Sequence, residues 1–562
     1  MTVVELRVLD GPNLYFTRPA IKLTLSVASW VSLSDERAER LTRRAGFTPV
    51  ATSGAPNSDQ RRRYVARFAV HIARLLADAT GTRLAIRGRP GPGEDQVVVA
   101  FVWRRQRAAE AFARELAPLL ELCLDGRRSL ERAIAAAGER VNRTEPGPAP
   151  TVLRPTIPIV SVTGTNGKTT TVRLIAGLAR MAGYSVAYTT TDGVYRDDQL
   201  VEAGDYSGFS GASKALAQPG IDLAVLETAR GGILLRGMGT DHNDVAVVTN
   251  VTEDHLDQYG IRTLDQLAEV KATITRVTKP EGWDVLNADD PRVLAMRRLA
   301  AGRPWLFSLD ADHPAIRTTL AEGGRAISVL DGSLVVMTSR RQAHRLLPVE
   351  EVPVTLAGIS SRNLRNAMAA AAAALATGIP EEAVVEGLRT FVLDPERNPG
   401  RANLFEVDGR LVVIDYAHNE DGMHGLIEIC RGLRAPAGRI LLAFGSAGDR
   451  TNAILHRLGY TAARGPDLVA IAELHRYLRG RDPQDLVRRL QAGLTDGGKP
   501  QAPVFPTELE ALEWMLSKSA PDDVIAITAL AQRPEVFQYL RDRGGVVVSP
   551  PRIRELVRRS RG

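Results

Sequence analysis

Apolar residues follow different patterns in the first 143 residues and in the rest of the chain. Before residue 144, the β-like run 97–103 stands among helical patterns at 60–79 and 106–122. From residue 157 onward, continuous apolar runs alternate with helical patterns, starting with 157–163, 184–190, 222–227 and 244–250. Continuous apolar strands are typical of a parallel sheet that is buried on both faces. The pattern predicts a small α+β domain followed by α/β structure.

Two polar or proline-rich segments divide the chain. Residues 144–158 (TEPGPAPTVLRPTIP) contain five prolines and no hydrophobic period, as linkers do. Residues 394–401 (DPERNPGR) precede a further set of apolar runs at 411–415, 440–445, 468–472 and 524–528. We therefore predict an N-terminal α+β domain with its linker at 1–150, a central parallel-sheet domain at 151–395 and a Rossmann-like domain at 396–562.

A phosphate-binding loop follows the first strand of the central domain. The run Gly164-Thr165-Asn166-Gly167-Lys168-Thr169 stands between the strand at 157–163 and a helical pattern from Thr170. Glycines let backbone N–H groups turn toward phosphates, a lysine can reach the transferred phosphate, and a threonine hydroxyl can bind magnesium. The general pattern GxxxxGK[ST] requires glycine at position 162, where this chain has Val162. A glycine-rich turn before a helix is the alternative.

A carboxylate and an imidazole follow two other predicted strands. Glu227 ends the run 222–227, and His255 comes shortly after the run 244–250. Both are expected at the carboxyl edge of the sheet, where ligands bind in doubly wound folds. Together they could hold a magnesium ion. In the alternative interpretation, Glu227 caps a turn and His255 is a hydrogen-bonded loop residue.

Lys271 is predicted on the apolar face of a helix. Thr263 and Gln266 form a capping box, and the following pattern places Leu264, Leu267 and Ile274 on the same stripe as Lys271. Burial lowers the pKa of a lysine, which leaves a neutral amine that can react with carbon dioxide. The alternative is a lysine whose stem covers apolar surface while its charge reaches water.

Composition restricts the class of protein. No apolar run is long enough to span a bilayer, and the N-terminus shows no export or transit signal, so we expect a cytoplasmic protein without membrane contact. The two cysteines, Cys123 and Cys430, support neither disulfides nor a zinc site. The net charge of +7 comes from dispersed arginines, which suit ATP and an acidic substrate. No recognition motif accompanies the charge, so we do not predict nucleic acid binding.

The loop variant GTNGKTTT is the one found in Mur ligases, and the chain resembles this superfamily over most of its length. The segments that resemble the ligase half of cyanophycin synthetases are LETARGGIL (226–234), VVTNVTEDHLDQYG (247–260), DPERNPGRANLFEV (394–407), DYAHNEDGM (415–423) and LRGR (478–481). The motif GPN at 11–13 resembles the N-terminal domain of those enzymes. Their ATP-grasp domain lies between these two parts, whereas here the linker leads directly into the phosphate loop.

The resemblance implies ATP and Mg²⁺ as cofactors and a role for each matching residue. Catalysis is assigned to Lys168, Glu227, His255 and Lys271, and magnesium binding to Thr169, Glu227, His255 and a carbamylated Lys271. ATP binding is assigned to Gly164, Thr165, Asn166, Gly167, Lys168, Thr169, Thr170, Asn363, Asn366, Arg401, Asp415 and His418. Contact with the incoming amine is assigned to Asn419, Asp449 and Arg450.

The function implied is that of an ATP-dependent amide ligase. ATP would phosphorylate the carboxylate of an acidic peptide or similar substrate, and the amine of an amino acid would attack the acyl phosphate. Two alternatives stay open: a folylpolyglutamate-type ligase, and a non-catalytic scaffold for another synthetase. Homo-oligomerisation also stays open.

Overall fold

The N-terminal domain is an antiparallel sheet covered by helices. A computed structural model describes residues 1–48, 51–125, 129–254, 256, 258–340 and 343–561. Within them, the sheet has the strand order β1-β2-β4-β3. Its core includes Trp30, Phe68 and Phe101, each almost fully buried. The elements are β1 (Thr2–Leu9), β2 (Ala20–Ser26), α1 (Ala28–Val31), α2 (Asp35–Arg44), α3 (Asp59–Ala79), β3 (Ile86–Pro90), β4 (Gln96–Val102), α4 (Gln106–Asp125) and α5 (Leu130–Arg143).

The first strand of the central domain begins at Ile159, after a segment without helix or strand that follows α5. Its elements are β5 (Ile159–Thr163), α6 (Lys168–Met181), β6 (Val186–Thr189), β7 (Gly193–Arg196), β8 (Gln199–Ala203), α7 (Phe209–Leu216), β9 (Leu223–Glu227), α8 (Arg230–Leu235), β10 (Asn243–Val248), α9 (Leu264–Lys271), β11 (Thr278–Asn287), α10 (Pro291–Ala295), β12 (Arg303–Ser308), α11 (Pro314–Ala321), β13 (Arg325–Leu330), β14 (Ser333–Thr338), β15 (His344–Pro348), α12 (Ser361–Ala376) and α13 (Glu381–Thr390).

Parallel pairing at the centre of this sheet brings several strand ends to one edge. The strand order is β15-β14-β13-β12-β11-β10-β5-β9-β6-β7-β8, with parallel pairs from β13 to β6 and antiparallel pairs toward both ends. In register, Thr163 pairs with Val248, and Val162 pairs with Glu227. The loops that follow β5, β9 and β10 therefore leave the sheet side by side.

The alanine-rich helix α12 lies between the sheet and helix α6. The residues from Ala367 to Ala374 are fully buried, and α12 contacts α6, β11 and β12. A methyl side chain on every side lets the helix approach both neighbours closely, so the whole circumference is packed.

The C-terminal domain is a second α/β layer. Its sheet has the order β20-β19-β18-β21-β17-β16-β22, parallel from β20 to β17 and antiparallel at β16 and β22. The elements are β16 (Asn403–Val407), β17 (Arg410–Asp415), α14 (Glu420–Leu433), β18 (Ile440–Phe444), α15 (Asn452–Ala463), β19 (Leu468–Ala472), α16 (Pro483–Asp496), β20 (Val504–Phe505), α17 (Glu508–Lys518), β21 (Val524–Thr528), α18 (Arg533–Asp542), β22 (Val546–Val547) and α19 (Pro550–Ser560).

The α/β fold class predicted from the sequence is confirmed, with a mixed α+β N-terminal part and two parallel-rich sheets. The main apolar runs become β5, β6, β9, β10, β17, β18, β19 and β21. The domain boundaries at 150 and 395 stay predictions. Among the described residues, no helix is both long and apolar enough to cross a membrane.

Replacing Ala371 with leucine tests the packing of α12. The added atoms have no free space between α12 and its neighbours, so the local free energy of unfolding should fall by about 1–3 kcal/mol. Ala136→Leu adds the same atoms at an exposed position of α5 and should change stability by less than about 0.5 kcal/mol. Native-state hydrogen exchange of central-domain peptides measures both effects. Unchanged protection in Ala371→Leu would contradict the tight packing.

Candidate active site

A cavity of about 810 Å³ lies where the central and C-terminal domains face each other. The phosphate loop forms one part of its wall, and the segment after β17 forms another. The predicted site residues that line it are Gly164, Thr165, Asn166, Gly167, Lys168, Thr169, Thr170, Glu227, Lys271, Asn363, Asn366, Arg401, Asp415, His418 and Arg450. One space thus collects side chains that are more than 280 residues apart in the chain.

The phosphate loop depends on close approaches that only glycine permits. Gly167 has a φ of 87° and precedes the first residue of α6. A Cβ at this position would lie 2.2 Å from Oδ1 of Asn366. Nζ of Lys168 donates a hydrogen bond to the Thr165 carbonyl over 2.9 Å, which holds its charge at the loop. The loop residues and the Lys168 side chain therefore line the same cavity, and phosphate binding uses a cation beside a loop and helix start of this kind.

Glu227 is a buried carboxylate beside the loop. It ends β9 and is 2% exposed. Its Oε2 accepts a hydrogen bond from the Thr169 hydroxyl over 2.9 Å, and its Oε1 is buried with no hydrogen-bond partner among the described residues. Burial raises the pKa of Glu227, and the nearby charge of Lys168 opposes this rise. A buried oxygen without a partner is costly, and it is a suitable ligand for a hard divalent cation.

Lys271 is buried on the other side of the loop. The predicted capping box of Thr263 and Gln266 is present, but α9 ends at Lys271, so Ile274 lies beyond the helix and not on its stripe. The side chain is 3% exposed, and Nζ donates a 2.6 Å hydrogen bond to the Gly164 carbonyl. Burial, assisted by the charge of Lys168, holds the pKa of Lys271 well below its ordinary value. The side chain is almost fully buried, whereas the alternative interpretation expected its charge to reach bulk water.

Residues at the start of α12 and at the domain junction form a further part of the wall. Asn363 and Asn366 are buried, and Nδ2 of Asn366 donates to Oδ1 of Asn363 over 3.2 Å. The guanidinium of Arg401 lies 4.3 Å from the ring centroid of Tyr416. Asp415 accepts hydrogen bonds from Arg362 and from the Ala402 amide.

An ion pair connects the two domains across the cavity. Asp254, which follows β10, lies 3.1 Å from Arg450 of the C-terminal domain, and the His418 ring lies 3.4 Å from the same carboxylate. Asp254 is 8% exposed, so solvent screens the pair with Arg450 less than it screens surface pairs. The pair of Asp254 and Arg450 thus holds the C-terminal domain over the cavity.

The phosphate loop is itself in contact with the C-terminal domain. The side chains of Asn166 and Asn419 exchange two hydrogen bonds, of 3.2 and 3.1 Å, and Asn166 also donates to Asp421 over 2.7 Å. Asn419 caps α14 through a bond from the Gly422 amide. Its side chain therefore connects the start of α14 to the loop.

Two of the predicted residues that the structure describes stand apart from the cavity wall. Asn419 and Asp449 are not among the lining residues, although Asp449 accepts a 2.9 Å hydrogen bond from Gln258 and is paired with Arg479. His255 lies outside the described residues. The predicted cation site includes His255, so only part of that site can be described, and its described oxygen donors are Glu227 and Thr169. The described residues contain no group of three His, Cys, Asp or Glu side chains that could hold a metal ion.

Several lining residues were not predicted. Arg230 and Arg479 belong to the segments LETARGGIL and LRGR, so their motifs could have identified them. Asp254 precedes His255, and its position after a strand was a usable signal. For Asp205 and Phe209, which follow an edge hairpin, the sequence offers no signal because only tertiary packing brings that hairpin to the cavity.

Two family models match this chain in the regions that form the cavity. The Mur ligase middle domain matches residues 162–374, and the domain described as Mur ligase, glutamate ligase domain matches residues 400–530. Escherichia coli FolC in complex with DHPP and ADP shares the fold, with a TM-score of 0.51 and 20% identity, over 70% of this chain and 90% of that chain.

Relatives in sequence are ligases. The cyanophycin synthetase of Crocosphaera subtropica is 37% identical over 381 residues, which cover 66% of this chain and 42% of that protein. The UDP-N-acetylmuramoyl-L-alanyl-D-glutamate–2,6-diaminopimelate ligase of Gloeobacter violaceus is 30% identical over 380 residues, which cover 65% of this chain and 71% of that protein. The chain thus spans less than half the length of the cyanophycin synthetase that it matches.

A phosphate loop that faces a second α/β domain across a charged cavity defines a two-lobed nucleotide-binding enzyme. The chain belongs to the Mur ligase family, a family of ATP-dependent ligases.

Lys271→Met tests the buried amine through its pH dependence. Because the pKa of Lys271 in the folded protein is well below 10.5, the unfolded chain binds more protons there between the lowered pKa and about pH 10.5. Wild type should therefore lose stability relative to Lys271→Met as the pH falls through this window, and the difference between the two should stop changing with pH near its upper end. Urea denaturation at several pH values, in buffer free of carbon dioxide, measures the difference.

The exposed Lys518, replaced by methionine in the same way, is the control for removal of a lysine. A difference between wild type and Lys271→Met that does not vary with pH would contradict a buried, uncharged amine.

Proposed function

We propose that the chain is an ADP-forming amide ligase. ATP transfers its γ-phosphate to a substrate carboxylate, and the amine of an amino acid then attacks the acyl phosphate and releases inorganic phosphate. The reaction needs no covalent enzyme intermediate. As the C–N bond of the amide forms, the bond between the acyl carbon and the phosphorylated oxygen breaks, and that oxygen leaves with the phosphate. The observation that supports this proposal most strongly is the placement of Lys168, Glu227 and Lys271 around one phosphate loop at the domain interface.

The residues of the loop suit the charge that develops during phosphoryl transfer. Lys168 and the backbone amides at the start of α6 would bind the β- and γ-phosphates, and they are already positioned by the glycines of the loop. Catalysis then consists mainly of positioning and charge neutralisation. No nucleophilic side chain is needed.

A divalent cation fits beside Glu227. The unpartnered Oε1 of Glu227 and the adjacent Thr169 hydroxyl are the hard oxygen donors that Mg²⁺ prefers. The cation would neutralise phosphate charge and polarise the transferred group. We propose Mg²⁺ and ATP as the cofactors, with His255 as a further ligand.

Carbamylation of Lys271 would add oxygen ligands at the same place. A neutral amine attacks carbon dioxide to form a carbamate and releases a proton, and the lowered pKa of Lys271 supplies that neutral amine. The product has two oxygens that share one negative charge, where the unmodified side chain has no oxygen. Its hydrogen bond to the Gly164 carbonyl would then have to rearrange.

The carboxylate and amine substrates are assigned by chemistry. Basic side chains exceed acidic ones in the cavity wall, which favours an acidic peptide as the carboxylate substrate. Residues 144–158 connect the N-terminal domain directly to the phosphate-loop domain, with no second ATP-binding domain between them. We therefore propose addition of an amino acid to a preformed acidic acceptor, in the cytoplasm, without nucleic acid.

Two alternatives receive less support. The resemblance of 226–234 and 478–481 to cyanophycin synthetases, together with the relatives found, favours a peptide ligase over a folate ligase. A non-catalytic scaffold would tolerate loss of a loop residue, whereas Lys168, Thr169, Glu227 and Lys271 all line the cavity.

Phosphate release in a screen of acidic peptides against single amino acids tests the proposal. Release should require ATP, a divalent cation, the carboxylate and the amine together. In the active pair, Lys168→Ala should lower kcat/KM by at least about 100-fold, equivalent to about 2.7 kcal/mol of transition-state stabilisation.

Lys518→Ala removes an exposed lysine of α17 and should leave kcat/KM unchanged. Equal ADP formation without carboxylate or amine would show an ATPase instead. A decrease of less than tenfold in Lys168→Ala would mean that the loop does not bind the transferred phosphate.

Lys271→Ala tests the carbamate. The variant should fold but be nearly inactive, and acetate or formate should partly restore activity by placing a carboxylate in the vacated space. Lys271→Arg should not respond, because a guanidinium stays charged and fills the site. Activity of each variant with and without the acids is the measurement, and Lys168→Ala, which the acids should not rescue, is the control. Full activity of Lys271→Ala without added acid would exclude the carbamate.

A further inference from the structure

Helix α8 is attached at its C-terminal end to the N-terminal domain. The carbonyl of Arg236, the residue after α8, accepts a 2.8 Å hydrogen bond from the Asp10 amide. The Met238 amide donates to the Pro12 carbonyl over 2.7 Å. At Gly11, a Cβ would lie 1.8 Å from the Met238 carbonyl oxygen, so the two loops touch through backbone atoms. The GPN segment therefore fixes the position of Arg236.

The side chain of Arg236 is held by three separate parts of the chain. Nε donates to Oδ2 of Asp10 over 3.1 Å, and Nη2 donates to the Thr151 hydroxyl over 3.3 Å. The other oxygen of Asp10 accepts a bond from the Thr151 amide over 3.3 Å. The guanidinium also lies 4.2 Å from the ring centroid of the buried Phe209. The N-terminal domain, the linker and the central domain thus orient one guanidinium together.

This guanidinium is available to a ligand. Arg236 and Phe209 both line the cavity, and the Arg236 side chain is 49% exposed. The two side-chain bonds use two of the five N–H donors of a guanidinium. If Arg236 served only to join the domains through Asp10 and Thr151, its guanidinium would not need to face the cavity.

The wall around Arg236 favours a negatively charged ligand. Among the described residues other than the uncharged Lys271, seven lysines and arginines line the cavity against four acidic side chains; the basic ones are Lys168, Arg230, Arg236, Arg362, Arg401, Arg450 and Arg479. Arg230 begins α8, and the helix rise of about 1.5 Å per residue places Arg236 roughly 9 Å farther along. In an extended peptide that distance corresponds to about two or three residues.

We propose that Arg236 binds a second carboxylate of the acceptor and that Asp10 positions the Arg236 side chain. This carboxylate belongs to an acceptor residue about two or three positions away from the part of the acceptor that lies beside the start of α8. Arg236 is then a specificity residue for acidic acceptors, and Asp10 is a positioning residue in the N-terminal domain. The inference rests on the proposed function, since it assumes that the cavity takes the acceptor. It gives the N-terminal domain a role in substrate choice.

Equilibrium binding of synthetic peptides to the full chain with ADP tests the proposal without requiring turnover. The probes are tri-aspartate and its three analogues with one asparagine. Wild type should bind tri-aspartate at least about fivefold more tightly than one of the analogues. Arg236→Ala should remove that preference because it deletes the group that binds the carboxylate. Asp10→Asn should reduce the preference because it weakens the contact that orients Arg236.

Arg389→Ala is the matched control, since Arg389 has 45% exposure and a carboxylate partner, Glu351, but does not line the cavity. If Arg236→Ala folds poorly, Arg236→Gln replaces it. If Arg236→Ala bound all four peptides more weakly by the same factor, Arg236 would have only a structural role, and the proposal would be overturned. Failure of tri-aspartate to bind wild type would overturn it as well.

Phosphate release separates this inference from the proposed function. If tri-aspartate binds with the expected preference and no amino acid elicits release, the ligase proposal fails while the subsite stands. If phosphate is released but Arg236→Ala keeps the wild-type preference in KM for tri-aspartate over its analogues, the Arg236 subsite is overturned while the ligase proposal stands. Where both hold, Arg236→Ala should raise KM for tri-aspartate about fivefold, with kcat and the KM for ATP within about twofold.

Discussion

Burial of a carboxylate and an amine on either side of the phosphate loop is the constraint on which the site depends. Glu227 and Lys271 are both almost fully removed from water, and burial disfavours the charged form of each. Such groups are costly for folding unless a ligand compensates for them. A divalent cation and a triphosphate would do so, which explains why the loop, the carboxylate and the amine occur together at one sheet edge.

The site is assembled from all three domains. The central sheet supplies the loop and the buried pair, while the C-terminal domain contacts the loop through Asn419 and Asp421. The N-terminal domain contributes through Asp10, which orients Arg236 at the cavity wall. A change in the position of either outer domain would therefore alter the cavity directly, so domain movement and substrate binding are expected to be coupled.

Local sequence signals were enough for the phosphate loop and for part of the strands, namely β4, β5, β6, β9, β10, β17, β18, β19 and β21. Buried parallel strands need continuous apolar residues, and the loop needs glycine, lysine and threonine in order, so both leave a pattern in the sequence. The capping box of Thr263 and Gln266 was visible for the same reason. Lys271 was found because its burial follows from helical spacing, although the helix proved too short to include Ile274.

Contacts between distant segments could not be predicted in the same way. The pairing of Asp254 with Arg450, and of Asp10 with Arg236, joins residues about 200 positions apart, and an isolated aspartate or arginine has many structural uses. Their partners are decided by how the domains pack. The Arg236 subsite therefore became visible only with the fold.

Transfer of oxygen from the carboxylate to phosphate tests the central account most directly. In the proposed reaction, the carboxylate oxygen that attacks the γ-phosphate of ATP remains on phosphorus when the amine displaces it. An acceptor labelled with ¹⁸O in its carboxylates, incubated with ATP and the amino acid, should yield inorganic phosphate that contains one ¹⁸O atom per amide formed, together with ADP. Amide formation with unlabelled phosphate, or with AMP as the nucleotide product, would contradict activation through an acyl phosphate.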